Sequence, residues 1–160
     1  MASLRDDEVR RLLKHLRRRV EDEDRLAEIE QELRSEFGQE FLREPDLLTY
    51  FPELSDEFTT AGTRWKLRVI PHAHLRMVQR GIGQGEVSAI FRRFVENYAV
   101  TGQVVVEGHY SIIGRPKPRA ATVTVRADVD CVTDESGQAH VVTVYVGRGN
   151  TEGTFEVGPV

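Results

Sequence analysis

The spacing of apolar residues changes once along this chain, from every third or fourth position before Asn97 to every second position after Val104. That change restricts the fold more than any other feature, because a period near 3.6 belongs to helices and a period of two to strands. From Leu4 to about Phe37, Val9, Leu12, Leu13, Leu16 and Val20, then Leu26, Ile29, Leu33 and Phe37, form an amphipathic helical stripe amid dense charge. The acidic run Glu21 to Asp24 interrupts it, so the segment is one long helix with a phase shift or two helices meeting there. Such a narrow stripe makes no core of its own. It must pack on the rest of the chain, on a copy of itself or on another protein.

The prolines Pro45 and Pro52 and the run Phe58 to Thr63 mark residues 45–63 as an irregular connection. Trp65 to Ile70 alternates apolar and basic residues like a short strand. Pro71 suits the first turn of a helix that Gly81 ends, and Val87, Ile90, Phe91 and Phe94 define a second helix with Arg92 and Arg93 on its exposed side. Val104 to Ile113, Ala121 to Val132 and Ala139 to Arg148 read as three strands of a meander. In the middle one, Ala121, Val123, Val125, Ala127, Val129 and Cys131 face one way and Thr122, Thr124, Arg126, Asp128 and Asp130 the other. The expected architecture is α+β: two short helices packed on a curved antiparallel sheet of three to four strands, preceded by an α-helical appendage. The divisions are a charged helical appendage over 1–44, a linker over 45–63, the α+β domain over 64–148 and a flexible tail over 149–160.

Charge is distributed in blocks. Residues 1–63 hold 10 Lys/Arg against 17 Asp/Glu, residues 64–126 hold 11 against 3, and residues 127–160 hold 1 against 6. A basic middle favours a polyanionic partner, nucleic acid first, unless the acidic flanks complement it. Cys131 is the only cysteine, which excludes an intrachain disulfide and a cysteine-built zinc site, and its valine-rich surroundings suit a buried small residue. No apolar run approaches the roughly 20 residues of a membrane span. The reading is a cytoplasmic protein, or one packaged from the cytoplasm into a virion or exported by a specialised system.

The most informative stretch is His72-Ala73-His74-Leu75-Arg76-Met77-Val78-Gln79-Arg80-Gly81-Ile82. On a helix, His72, Arg76 and Arg80 lie one turn apart on one face, and an imidazole backed by two guanidinium groups is what phosphate recognition or phosphodiester chemistry requires. The pattern His-Ala-x-x-Arg-Met-x-x-Arg-Gly-Ile, met by His72, Ala73, Arg76, Met77, Arg80, Gly81 and Ile82, resembles a bacterial and phage domain family of unassigned function. That family is similar to the barnase, EndoU, colicin and RelE group of small ribonuclease folds. The resemblance covers roughly residues 65 to 148. It implies a metal-independent, cofactor-free endoribonuclease of the RelE-like toxin type, in which the 2′-hydroxyl of RNA attacks the adjacent phosphate.

On this reading His72 carries protons, Arg76, Arg80 and Arg126 grip phosphate and stabilise the transition state, and His109 or Tyr145 supplies a second acid. Arg92, Arg93 and the turn with Arg115, Lys117 and Arg119 hold the nucleic-acid backbone. Each residue also has a plainer reading: a helix-start histidine bonded to backbone, arginines paired with acids, ordinary edge residues, a basic turn with no ligand. His74 reads as a surface residue, or as half of a His-x-His zinc site with His109 or His140. The rival function is a non-catalytic assembly module of a virion or effector that uses residues 4–37 for self-association or a protein partner. A third possibility is that the acidic helices cover the basic face as a built-in inhibitor.

Overall fold

A computed structural model of the 160-residue chain describes residues 3–60, 63–99, 108–115, 121–127, 136–146 and 154–159. Four helices lead: α1 (Asp6–Leu16), α2 (Glu23–Arg34) and the single turns α3 (Gly38–Phe41) and α4 (Pro45–Leu48). The acidic run is the start of a helix and not a phase shift. Asp22 Oδ1 accepts from the backbone N–H groups of Asp24 (2.9 Å) and Arg25 (3.3 Å), so the chain breaks there and a capped helix begins.

Two hairpin strands follow, β1 (Leu54–Thr60) and β2 (Thr63–Val69), then α5 (Pro71–Arg80), α6 (Gln84–Phe94) and a π-helical turn, Val95–Ala99. The last strands are β3 (Gly108–Arg115), β4 (Ala121–Ala127), β5 (Ser136–Val146) and β6 (Thr154–Pro159). As the spacing predicts, Pro71 opens α5 and Gly81 ends it at φ 70°, a left-handed conformation that favours glycine. Ile82 N–H then donates to the Met77 carbonyl (2.9 Å), closing the helix end.

The chain is α+β, and the six strands among the described residues form one sheet in the order β1-β2-β5-β4-β3-β6. The expected purely antiparallel sheet of three to four strands is corrected: β2 pairs with β5, and β3 with β6, in parallel. Two strands lie in segments read as a linker and a flexible tail. Strand β1 carries Asp56 and Glu57, poor strand formers alone, but it is held in register with β2, where Glu57 faces Lys66 and Phe58 faces Trp65. Strand β6 docks beside β3 although its sequence has no clear alternation.

Two cores meet at α5. One lies between the sheet and the helices and joins Trp65, Leu67, Val69, Ile112, Ala139, Val141 and Val144 of the strands to Ala73 and Met77 of α5 and Val87, Ile90, Phe91 and Phe94 of α6. The other joins the stripe Val9, Leu12, Leu13, Leu16, Val20, Ile29 and Leu33 to Leu42, Leu47, Phe51 and, from α5, Leu75. The appendage therefore buries its apolar face within the same chain, against α5, with Phe37 the one stripe residue left 52% exposed. Against the sheet, Gly114 of β3 admits α6, since a Cβ there would stand 2.6 Å from Ile90 Cγ1. No helix among the described residues is long and apolar enough to cross a membrane.

Candidate functional site

Helix α5 carries His72, Arg76 and Arg80 one turn apart, but two of the three side chains have structural partners. Arg76 is only 7% exposed, and its Nη1 donates to Oε1 of Gln79 (2.8 Å) and of Gln39 (3.4 Å). Gln79, 1% exposed, passes the connection on by donating from Nε2 to Glu8 Oε2 (2.7 Å), and its carbonyl accepts from Arg11 Nε (2.9 Å). This polar seam fastens α1 to α5. Arg80 donates from Nη1 to the Val144 carbonyl. Strand β2 ends at Val69, opposite Val141, so among the described residues no strand pairs with β5 beyond that point on this edge, and Arg80 supplies a donor there. Each arginine therefore uses its Nη1 to hold structure together, a role that the spacing of the helix alone does not reveal.

Burial shifts the groups of this cluster. The Arg76 guanidinium falls to about 10, first because it is desolvated and then because Arg80 and Arg43 crowd it, with Glu8 opposing. His72 is half-buried, and its pKa is lowered by desolvation and by the cations Arg76, Arg43 and Arg80, which leaves a neutral imidazole at pH 7.

His74 does not lie on the surface. It is 7% exposed, and its Nδ1 donates to the Pro52 carbonyl (2.7 Å). His15 of α1 donates from Nε2 to the Tyr50 carbonyl (2.8 Å) and stacks on Phe51 at 4.4 Å, while His74 meets both rings edge-on. Helical phase explains the difference from expectation: His74 lies on the side of α5 that packs against the segment leading into β1. There its Nδ1 is taken by the Pro52 carbonyl. Among the described residues no group of three His, Cys, Asp or Glu side chains is placed to hold a metal ion.

The sheet assembles a second set of polar positions. Register places Ser55 of β1 opposite Arg68 of β2, Arg68 beside His140 of β5, His140 opposite Arg126 of β4, and Arg126 opposite His109 of β3. These positions form one row across five strands. Their strand neighbours Leu67, Val69, Ala139 and Val141 are buried in the core, so alternation puts the row on the side of the sheet away from α5 and α6. Arg68 Nη2 donates to Glu53 Oε2 (2.9 Å), whereas Arg68 Nε and His140 Nδ1 are shielded from solvent with no hydrogen-bond partner among the described residues. The side chains of His109 and Arg126 lie outside the described residues. Tyr145 pairs with Thr122, four residues from Arg126 along β4 and so about 13 Å down the strand. It is not a neighbour of His109.

Alternation in Trp65 to Ile70 marks Arg68 as an outward strand residue, and His140 has a sequence signal only as a possible metal ligand. The parallel pairing of β2 with β5 is what brings both into the row. Arg43, Gln39 and Gln79 carry no sequence signal at all. Of the basic residues expected to hold a backbone, Arg92 and Arg93 are exposed on α6, and Arg92 sits 4.7 Å above the Phe58 ring. Arg115 ends β3 with its side chain outside the described residues, and Lys117, Arg119 and Cys131 lie outside them altogether. No family model, no curated protein and no solved structure matches this chain.

Proposed function

We propose that the chain is a metal-independent endoribonuclease of the RelE-like type whose working surface is the side of the sheet away from α5 and α6, along the positions His109, Arg126, His140 and Arg68. The observation that carries this reading is the single cross-strand row. His109 and His140 flank Arg126 from the two adjacent strands, so their backbone positions stand about 10 Å apart, a spacing that brackets one phosphodiester between two imidazoles. One imidazole takes the proton of the 2′-hydroxyl as its oxygen attacks phosphorus. The other protonates the departing 5′-oxygen, and Arg126 offsets the charge that builds on the phosphorane. Arg68 extends the row toward the next phosphate. His72 and Arg76 lose the central role that the helical spacing alone assigns them.

The alternatives fare less well on the same geometry. The stripe of residues 4–37 that an assembly module would present is turned inward onto α5. Among the described residues the appendage makes its main contacts with α5, which gives the inhibitor reading no support on the row.

The test is cleavage of a single-stranded RNA by the full chain under chelation, comparing the wild type with His109→Ala, His140→Ala and His72→Ala. The row variants are expected to lose at least about 100-fold in rate, the contribution of one proton-transfer group, while His72→Ala retains most of it. Loss confined to His72→Ala would return the site to α5. An inert wild type defeats the reading.

A further inference from the structure

We infer that Arg76, Arg43 and His72 form a binding site for a phosphate-type oxyanion on α5, separate from the sheet row and independent of whether RNA is cut. The starting point is a buried cation with no anion bonded to it among the described residues. Arg76 is 7% exposed, and both acceptors it uses, Gln79 and Gln39, are neutral amides reached through Nη1 alone. Neither Nε nor Nη2 has a hydrogen-bond partner among the described residues, yet neither belongs to the nitrogens shut off from solvent without one.

The charges around it point the same way. Arg80 and Arg43 are the strongest charged influences on Arg76, both of them cations, and Glu8 is the anion that opposes them. Glu8 acts from across Gln79, where its two oxygens accept from Gln79 Nε2 (2.7 Å) and from the Arg5 backbone N–H (3.0 Å). Arg80 is committed to the Val144 carbonyl. Holding a desolvated guanidinium against two like charges is unfavourable unless something negative completes the cluster. A tetrahedral oxyanion would meet the Nε/Nη2 edge bidentately, as carboxylates and phosphates do, with exposed Arg43, which follows α3 four residues after Gln39 and acts electrostatically on Arg76, as a second cation. His72, with no hydrogen bond among the described residues, stands one turn from Arg76 and takes up a proton as the anion arrives, becoming a further donor. Free phosphate and a phosphate group of a nucleic acid share this chemistry.

The test uses the full chain, titrated with inorganic phosphate and, separately, with a short oligoribonucleotide, following the imidazole resonances of His72 by NMR and the affinity by calorimetry. Phosphate is expected to shift His72, to raise its pKa and to leave His15 and His74 unmoved. Arg43→Ala, at an exposed position that does not threaten folding, is expected to weaken binding at least about tenfold, the loss of one charge-assisted contact. Arg76→Lys, which keeps the charge and loses the fork, is expected to weaken it comparably, whereas Lys14→Ala, at an exposed position on α1, leaves it unchanged. A response to the oligonucleotide alone assigns the site to nucleic-acid phosphate, and a response to both assigns it to oxyanions in general. Absence of any His72 shift with either ligand, or equal affinity in Arg43→Ala and wild type, overturns the inference. Because the readout is binding at α5, it is decided separately from cleavage at the row.

Discussion

Replacing Gln79 by methionine isolates the polar seam between α1 and α5, because methionine keeps the length and nearly the volume of glutamine while deleting both polar groups. The substitution removes two hydrogen bonds to charged partners, one from Arg76 (2.8 Å) and one to Glu8 (2.7 Å). Each such bond contributes about 1.5–3 kcal/mol, and the larger figure applies where the partner is left bare. Neither partner is left bare: Glu8 keeps the Arg5 backbone N–H, and Arg76 keeps the longer contact to Gln39. The Arg11 contact to the Gln79 carbonyl is untouched by a side-chain change. The sum then lies near the lower bound, about 3 kcal/mol, which for a chain of this size lowers the melting midpoint by about 6–12 °C. Urea unfolding followed by circular dichroism measures it, with an unchanged slope expected since the same surface is exposed. Pairing it with Glu8→Gln in a double-mutant cycle should give a coupling above about 0.5 kcal/mol. A loss below about 1 kcal/mol for Gln79→Met would show that the seam does not fasten the helices, and that apolar packing alone docks them.

Three further outcomes follow from the geometry. His15 and His74 have pKa values held below the ordinary 6.5, in each case chiefly by burial, so the unfolded chain binds more protons than the folded one just below that pH and stability should fall as pH drops from about 6.5 toward the folded-state values. His74→Gln should flatten that decline in a series of thermal melts, and an unaltered profile would remove His74 as its source. Gly81→Ala forces an alanine into φ 70° with its Cβ 3.3 Å from Arg11 Nε, and should cost about 1–2 kcal/mol by denaturant titration. Gly114→Ala sets a methyl 2.6 Å from Ile90 Cγ1 and should cost about 1–3 kcal/mol through forced repacking of α6; a neutral result would mean that β3 and α6 do not approach this closely.

Local patterns are legible in the sequence and long-range ones are not, for a physical reason. Pro71 and Gly81 are conformational choices made by single residues, so the limits of α5 can be read from the residues themselves, as can the burial of Val9, Leu12 and Leu16. Strand β1 cannot, because Leu54 to Thr60 takes its extended form from pairing with β2 and not from its own composition. The row of Arg68, His140, Arg126 and His109 joins residues up to 72 positions apart through a parallel pairing, and no local period encodes that register. Spacing also places His72, Arg76 and Arg80 correctly on one face while saying nothing of what that face meets. Gln39, Arg43 and Glu8 come from segments remote in sequence, and they decide whether an arginine grips a ligand or fastens a helix.

The chemistry proposed for the sheet is tested most directly by the ends of the RNA fragments. Attack by a 2′-hydroxyl leaves a 2′,3′-cyclic phosphate on one product and a 5′-hydroxyl on the other, and the account predicts both from full chain incubated with a defined oligoribonucleotide under chelation. It also predicts no cut where a single 2′-deoxy residue replaces the attacking nucleotide. Fragments ending in a 3′-hydroxyl and a 5′-phosphate, or cleavage that survives the 2′-deoxy substitution, would contradict it.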